Sequence, residues 1–231
     1  MREQASITGS FSCFLTFGEY SYWVPNVSGG LVVSKIAQKT NWDLSSNVRY
    51  AKTAEVYGFE YALTQIRFTA SYGAENQHES VSFSQALLHN TERIKLIAAI
   101  LPGPWNPTVA AKQIASIDNY TNRRIAVNIV SGWNKSEFTS IGQWWLEHAE
   151  RYRRSNEFIR ALKGIWTAGE EGFTFGGDFV CIPYQAGRKM HMTGSFADIS
   201  RTSQVSISKL QIITQTTSET APRNLPRRKQ R

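Results

Sequence analysis

Polar and apolar positions along this chain switch between two periods. Short apolar or β-branched runs at residues 19–25, 59–63, 94–101 and 125–130 read as strands, and longer segments with helical spacing separate them. Asp43 is placed to cap the first helix, where Val48, Ala51, Ala54, Glu55 and Tyr57 recur at helical spacing and Gly58 supplies the stop. Residues 81–90 form the second helix. After the rigid turn at 102–107, Thr108 is expected to cap a third helix running through Ile117. A fourth carries His148, Arg151 and Tyr152 in its first turns. Strand and helix thus alternate at a spacing of about 30 residues, the length of one βα unit, and four units fit between Glu19 and Thr167. Alternation of this kind predicts an α/β fold with a parallel sheet and right-handed crossovers.

The run at 125–130 carries the most information. It is apolar except for Asn128, as expected of a strand buried on both faces. It ends at Ser131-Gly132, small residues that let a ligand approach the backbone. Polar groups delivered at the C-terminal end of such a strand, just before a helix, mark the usual place for chemistry in α/β sheets and barrels.

Outside this frame the pattern weakens. Residues 1–17 show no period and read as a flexible leader. The polar stretch 65–80, with Arg67, His78 and Glu79, is long for a simple connection and reads as a lid or binding loop. A small hairpin is expected at 173–179. From residue 180 the chain is rich in Ser, Thr, Gln and basic residues, which predicts a disordered, low-complexity basic tail over 180–231. Residues 205–214 have strand character but no βα context. The folded domain is therefore drawn at 18–179.

Composition narrows the function classes. A hydrophobic content of 41% with 12% aromatics is that of a globular protein. The net charge of +8 resides in the tail: nine of 26 Lys/Arg and two of 18 Asp/Glu fall at or beyond Phe179, leaving 17 basic against 16 acidic residues before it. A nucleic-acid surface on the folded part is therefore not expected. Cys13 and Cys181 have neither disulfide-framework nor metal spacing, and His78 and His148 lack partners at ligand spacing. No metal site is expected. No apolar run reaches the roughly 20 residues of a membrane span, so a cytoplasmic protein is the default.

Several segments together resemble a known family. They are Tyr-Trp-Val-Pro-Asn-Val-Ser-Gly-Gly at 22–30, Gly-Phe-Glu-Tyr-Ala-Leu-Thr-Gln-Ile-Arg-Phe at 58–68, and Gly-Ala-Glu-Asn-Gln-His-Glu-Ser at 73–80. Ala-Ala-Ile-Leu-Pro-Gly-Pro-Trp at 98–105, Arg-Ile-Ala-Val-Asn-Ile-Val-Ser-Gly-Trp at 124–133 and His-Ala-Glu-Arg-Tyr at 148–152 continue the series. The run from Tyr22 to Asp178 resembles the bacterial-luciferase-like flavin-dependent monooxygenases, in particular the branch that oxidises dimethyl sulfone with reduced FMN. The resemblance implies a (β/α)8 TIM barrel, of which this chain holds the N-terminal half, about four βα units. It also implies reduced FMN (FMNH2) as cofactor, a separate NAD(P)H:flavin reductase that supplies it, O2 as co-substrate and a small organosulfur substrate. Dimethyl sulfone would be cleaved to methanesulfinate and formaldehyde, by a protein expected to form homo-oligomers.

By position, the resemblance assigns flavin contacts to Ile66, Arg67, Asn128, Ser131, Glu137, His148, Arg151 and Tyr152, and makes Trp23, His78 and Arg67 candidates for the catalytic centre. An Asn amide within an apolar strand suits the hydrogen-bonding edge of a flavin ring, and Arg67 or Arg151 suits negative charge on it. Plainer readings stand beside these: a barrel-interior network for Asn128, helix surface for Arg151 and Tyr152, loop surface for His78, core packing for Trp23 and Trp105. Asn134 replaces an aromatic of the sulfone enzymes and leans towards the pyrimidine-ring oxygenases, while Ala149 replaces an acid. Nothing after Phe179 matches the family's late phosphate-gripping loop, so the change of pattern there reads as out-of-frame or read-through sequence. Alkanesulfonate or pyrimidine-ring oxidation, and a non-catalytic half-barrel that pairs with another chain, are the alternatives.

Overall fold

In the computed structural model, residues 20–29, 41–69, 74–168 and 172–183 are described. The expectations for the leader 1–17, for the possible strand at 205–214 and for the tail beyond Pro183 lie outside the described residues.

Four strands form one parallel sheet in sequence order: β1 (Ser21–Trp23), β2 (Tyr61–Leu63), β3 (Lys95–Ile100) and β4 (Ile125–Ile129). The helices between them are α1 (Leu44–Val56), α2 (Ser80–His89) and α3 (Pro107–Tyr120). β4 is followed by the short α4 (Lys135–Thr139) and the long α5 (His148–Thr167). Leu96, Ala98 and Ile100 of β3 and Ile125, Val127 and Ile129 of β4 enter one core with Val81, Leu87 and Leu88 of α2, Ile114 and Ile117 of α3, and Phe158, Leu162 and Trp166 of α5. The packed helices lie on one side of the sheet. Four parallel strands in sequence order with a one-sided helical layer are the first half of a (β/α)8 barrel.

The helix starts follow from their caps. Asp43 Oδ1 accepts from the Ser45 hydroxyl and, at 2.8 Å, from the Ser46 N–H, and these bonds lower the Asp43 pKa to about 2. Glu79 caps α2 through the N–H groups of Val81 and Ser82. For α3 the expectation of a Thr108 cap is corrected. Asn106 is the cap, accepting from Thr108 N–H at 2.8 Å, because Pro107 at the first helical position draws the boundary two residues earlier.

Polar staples close the N-terminal end of the sheet. The Glu55 carboxylate accepts from the N–H groups of Glu92, Arg93 and Ile94 at 3.0, 2.6 and 2.7 Å, fixing the entry to β3. Arg124 donates to the carbonyls of Leu88, Ile94 and Thr121. After α5, β5 (Phe175–Gly176) pairs antiparallel with β6 (Cys181–Ile182). This hairpin reaches a few residues past 179, because Glu157 of α5 accepts from the N–H groups of Asp178, Phe179 and Val180 and holds its turn.

Candidate active site

Period-two alternation divides the sheet's side chains. With Leu96, Ala98 and Ile100 committed to the helical side, their neighbours Ile97 and Ala99 point the other way. The register sets Trp23 beside Leu63, Leu63 beside Ile97, Ile97 beside Ala126 and Ala99 beside Asn128 on that same face, which is the barrel lumen. Ala99 and Ala126 leave room there. Asn128 is only 2% exposed, and its Oδ1 has no hydrogen-bond partner among the described residues. A network of barrel-interior bonds therefore does not account for this acceptor. An unmatched buried amide oxygen costs about 1–3 kcal/mol.

Above Asn128, the loop after β4 and the loop after β2 meet. Asn134 caps α4, accepting from Ser136 N–H at 3.2 Å, and this places Glu137 and Phe138 inside. Glu137 is 4% exposed and accepts from Phe68 N–H at 3.3 Å. Burial raises its pKa, and the Phe68 bond and the charge of Arg67 only partly offset this. Arg67 lies over the Trp133 ring, 4.9 Å from its centroid. Gly132 has φ +86°, and a Cβ there would lie 2.5 Å from Phe138 and 3.1 Å from Leu101, so only glycine permits this closure.

The start of α5 forms the third wall. His148 and Tyr152, one turn apart, place their rings 4.9 Å between centroids. Arg151 is 8% exposed, donates to the Leu146 carbonyl at 3.1 Å and packs on Trp145, 4.2 Å from the ring centroid. It is not a helix-surface group. Ser155 Oγ sits 2.9 Å from Ser131 Oγ, fixing the loop after β4 to α5. Ile66 is half-buried in the loop after β2.

His78 and Trp23 stand apart from this cluster. The His78 ring is sandwiched between Trp42, which precedes α1, and Phe83 of α2, at 4.8 and 4.5 Å between centroids. That is a packing position between helices. Trp23 remains on the luminal face, 44% exposed. Arg154, buried against Gly103 and Phe138, was absent from the sequence-based candidates, as was the whole of α4. Among the described residues no group of three or more His, Cys, Asp or Glu could hold a metal, and no helix is long and apolar enough to cross a membrane.

Solved structures share this architecture. The chain superposes on a long-chain alkane monooxygenase with a TM-score of 0.61 at 16% identity, covering 74% of this chain and 49% of that one. For an EDTA monooxygenase from Chelativorans sp. the TM-score is 0.58 at 23% identity, over 72% and 41%. These define the class, a (β/α)8-type barrel. The family follows from sequence: the profile of the luciferase-like monooxygenases matches residues 19–194, and the chain belongs to that family. It is 68% identical over 161 residues to an FMNH2-dependent dimethylsulfone monooxygenase of Pseudomonas putida, covering 70% of this chain and 44% of that protein. A pyrimidine monooxygenase, RutA, of Pseudomonas savastanoi is 29% identical over 157 residues. The chain thus spans less than half the length of the curated relatives it matches.

Proposed function

We propose that this chain forms the flavin-binding N-terminal half of an FMNH2-dependent monooxygenase acting on a small organosulfur compound, dimethyl sulfone. The observation that carries the flavin reading is Asn128, a buried, unmatched acceptor opposite Ala99 on the luminal face. The polar edge of an isoalloxazine ring supplies the N–H that Oδ1 lacks, and the alanines leave space for a flat ring system. These residues fit the group. Bound there, reduced FMN supplies the electrons with which O2 oxidises the substrate, and the net change converts dimethyl sulfone, O2 and FMNH2 to methanesulfinate, formaldehyde, FMN and water.

The chain's own residues bind, orient and exclude water. Asn128 fixes the ring's orientation. Ile66 and Trp23 supply apolar wall, while Arg67, held over Trp133, sets positive potential at the mouth. Glu137, with its pKa raised by burial, remains a proton carrier closer to neutrality than an exposed glutamate. Tyr152 and His148 project from the first turns of α5. The preference for the sulfone rests on 68% against 29% identity. Asn134, which pointed towards pyrimidines, serves as the α4 cap and so has a structural reason to be polar. A flavin reductase is the partner that keeps FMN reduced, in the cytoplasm where such reductants are available.

The test is to supply the chain with reduced FMN, O2 and dimethyl sulfone and to assay methanesulfinate and formaldehyde. Uracil in place of the sulfone is the discriminating control. Equimolar formation of both products from the sulfone supports the reading; ring-opened product from uracil alone overturns it.

A further inference from the structure

Asn26, in the loop that leaves β1, is fully buried, and its side-chain amide holds two distant segments together. Nδ2 donates to the carbonyls of Gln65 at 3.0 Å and His78 at 3.1 Å, while Oδ1 accepts from the Gln65 N–H at 3.1 Å. Both amide protons are used, so turning the amide over would set its oxygen against two carbonyls. The backbone adds a fourth tie, from the His78 N–H to the Asn26 carbonyl at 3.0 Å.

The strand register explains why an asparagine stands there. β1 and β2 pair Trp23 with Leu63, and the Val24 N–H still donates to the Leu63 carbonyl. Two residues on, a parallel ladder would bring the Gln65 N–H to the Val24 carbonyl and the Gln65 carbonyl to the Asn26 N–H. Past Pro25 the backbone turns away instead, and the Asn26 N–H folds back onto the Val24 carbonyl at 2.9 Å. The Asn26 side-chain amide supplies both bonds that the ladder has lost. Gln65 is thus held by its N–H and its C=O at once, which sets the direction in which residues 66 and 67 leave β2.

Beyond this lock, Arg67 reaches the Trp133 ring, and the Phe68 N–H reaches the Glu137 carboxylate at 3.3 Å. Asn26 has no exposed surface with which to touch a ligand, so any effect on the site passes through Gln65. We infer that Asn26 is a positioning residue for the monooxygenase reaction: its amide stands in for a peptide of β1, locks Gln65, and so aims Ile66 and Arg67 at the flavin and Phe68 at Glu137. The consequence for flavin rests on the reading of Arg67 proposed above; the lock itself does not.

Asn26→Ala in the 231-residue chain tests this by amide hydrogen exchange and by FMNH2 titration. The Phe68 amide bonds to Glu137 and not to Asn26, so its exchange reports positioning at a distance. It is expected to speed up about tenfold in the variant, with the amides of β3 unchanged. FMNH2 affinity is expected to fall about tenfold, the worth of one well-placed hydrogen bond. Glu55→Gln, destabilised at the other end of the sheet, controls for lost stability and should bind FMNH2 as the wild type does. Added to Arg67→Met, Asn26→Ala should weaken binding by less than about threefold more, because the two residues act through one contact. Asn26→Ser, which keeps a hydroxyl, takes the place of the alanine variant if that does not fold. Faster Phe68 exchange together with no FMNH2 binding by the wild type supports the lock and overturns the flavin reading. Unchanged Phe68 exchange in a folded variant, FMNH2 binding no weaker than in Glu55→Gln, or fully additive losses with Arg67→Met overturns the inference. Failure of both variants to fold makes Asn26 a residue of the fold alone and overturns it as well.

Discussion

Asn128 on β4 stands directly across from Ala99 on β3, on the luminal face of the sheet, and the small partner leaves its amide oxygen buried but unmatched. The protein alone gains nothing from this acceptor. Asn128→Leu, similar in volume and apolar, is therefore expected to leave the ligand-free chain as stable as wild type or up to about 1 kcal/mol more stable. Flavin affinity should fall about tenfold. Urea unfolding and flavin titration on the same preparation check both halves.

Glu137 predicts a pH effect. Its folded pKa lies above the ordinary value of 4.5, so the neutral form is favoured in the folded state. Its contribution is complete below about 4.5 and is lost as pH rises through the higher folded value. Glu137→Gln, which keeps an acceptor for Phe68 N–H, should flatten stability across that interval and not lower it at neutral pH. Melting temperatures from pH 4 to 7 would reveal a steeper dependence in the variant if this assignment is wrong.

Two glycines separate backbone strain from crowding. Gly58 has φ +81° with nothing within 4 Å of an added Cβ, whereas Gly132, at φ +86°, would drive Cβ against Phe138 and Leu101. Gly58→Ala should cost about 1 kcal/mol, the left-handed backbone penalty alone. Gly132→Ala should cost roughly 2–4 kcal/mol and loosen the closure around Glu137. Equal costs in denaturant unfolding would contradict the close packing of the loop after β4.

The Glu55 clamp at the opposite end of the sheet concerns stability alone. Burial opposes ionisation there, but the three backbone N–H bonds and Arg93 outweigh it and lower the pKa. The contribution is present above the ordinary glutamate value and is lost as pH falls through the depressed one. Glu55→Gln is expected to destabilise by about 1 kcal/mol near neutral pH, with the difference shrinking in acid and flavin binding unchanged.

The sheet was legible because β3 and β4 are nearly unbroken apolar runs, and the first helix because its cap is written in Asp43; Glu79, read with the polar loop 65–80, and Asn106 were not recognised as caps. Proline misplaced one cap by hiding the boundary at Pro107. The short α4 escaped notice because Lys135–Thr139 has no apolar period, although Asn134 followed by Glu137 has the spacing of a capping box. Arg154 escaped because an isolated arginine in a basic helix reads as surface. The stripe Phe158, Ala161, Leu162 and Ile165, traced back by three and four residues, lands on Arg154 and Arg151, and that was the available signal. The sandwich around His78 depends on α1 packing against α2, a tertiary relationship no local pattern encodes.

Whether these four βα units bind flavin at Asn128 is tested most directly by anaerobic titration of the 231-residue chain with FMNH2, beside Asn128→Leu. Stoichiometric, saturable binding by the wild type, weakened about tenfold by the substitution while the fold is retained, is the predicted result. Absence of binding by a folded wild-type chain, or equal binding by both, would contradict it.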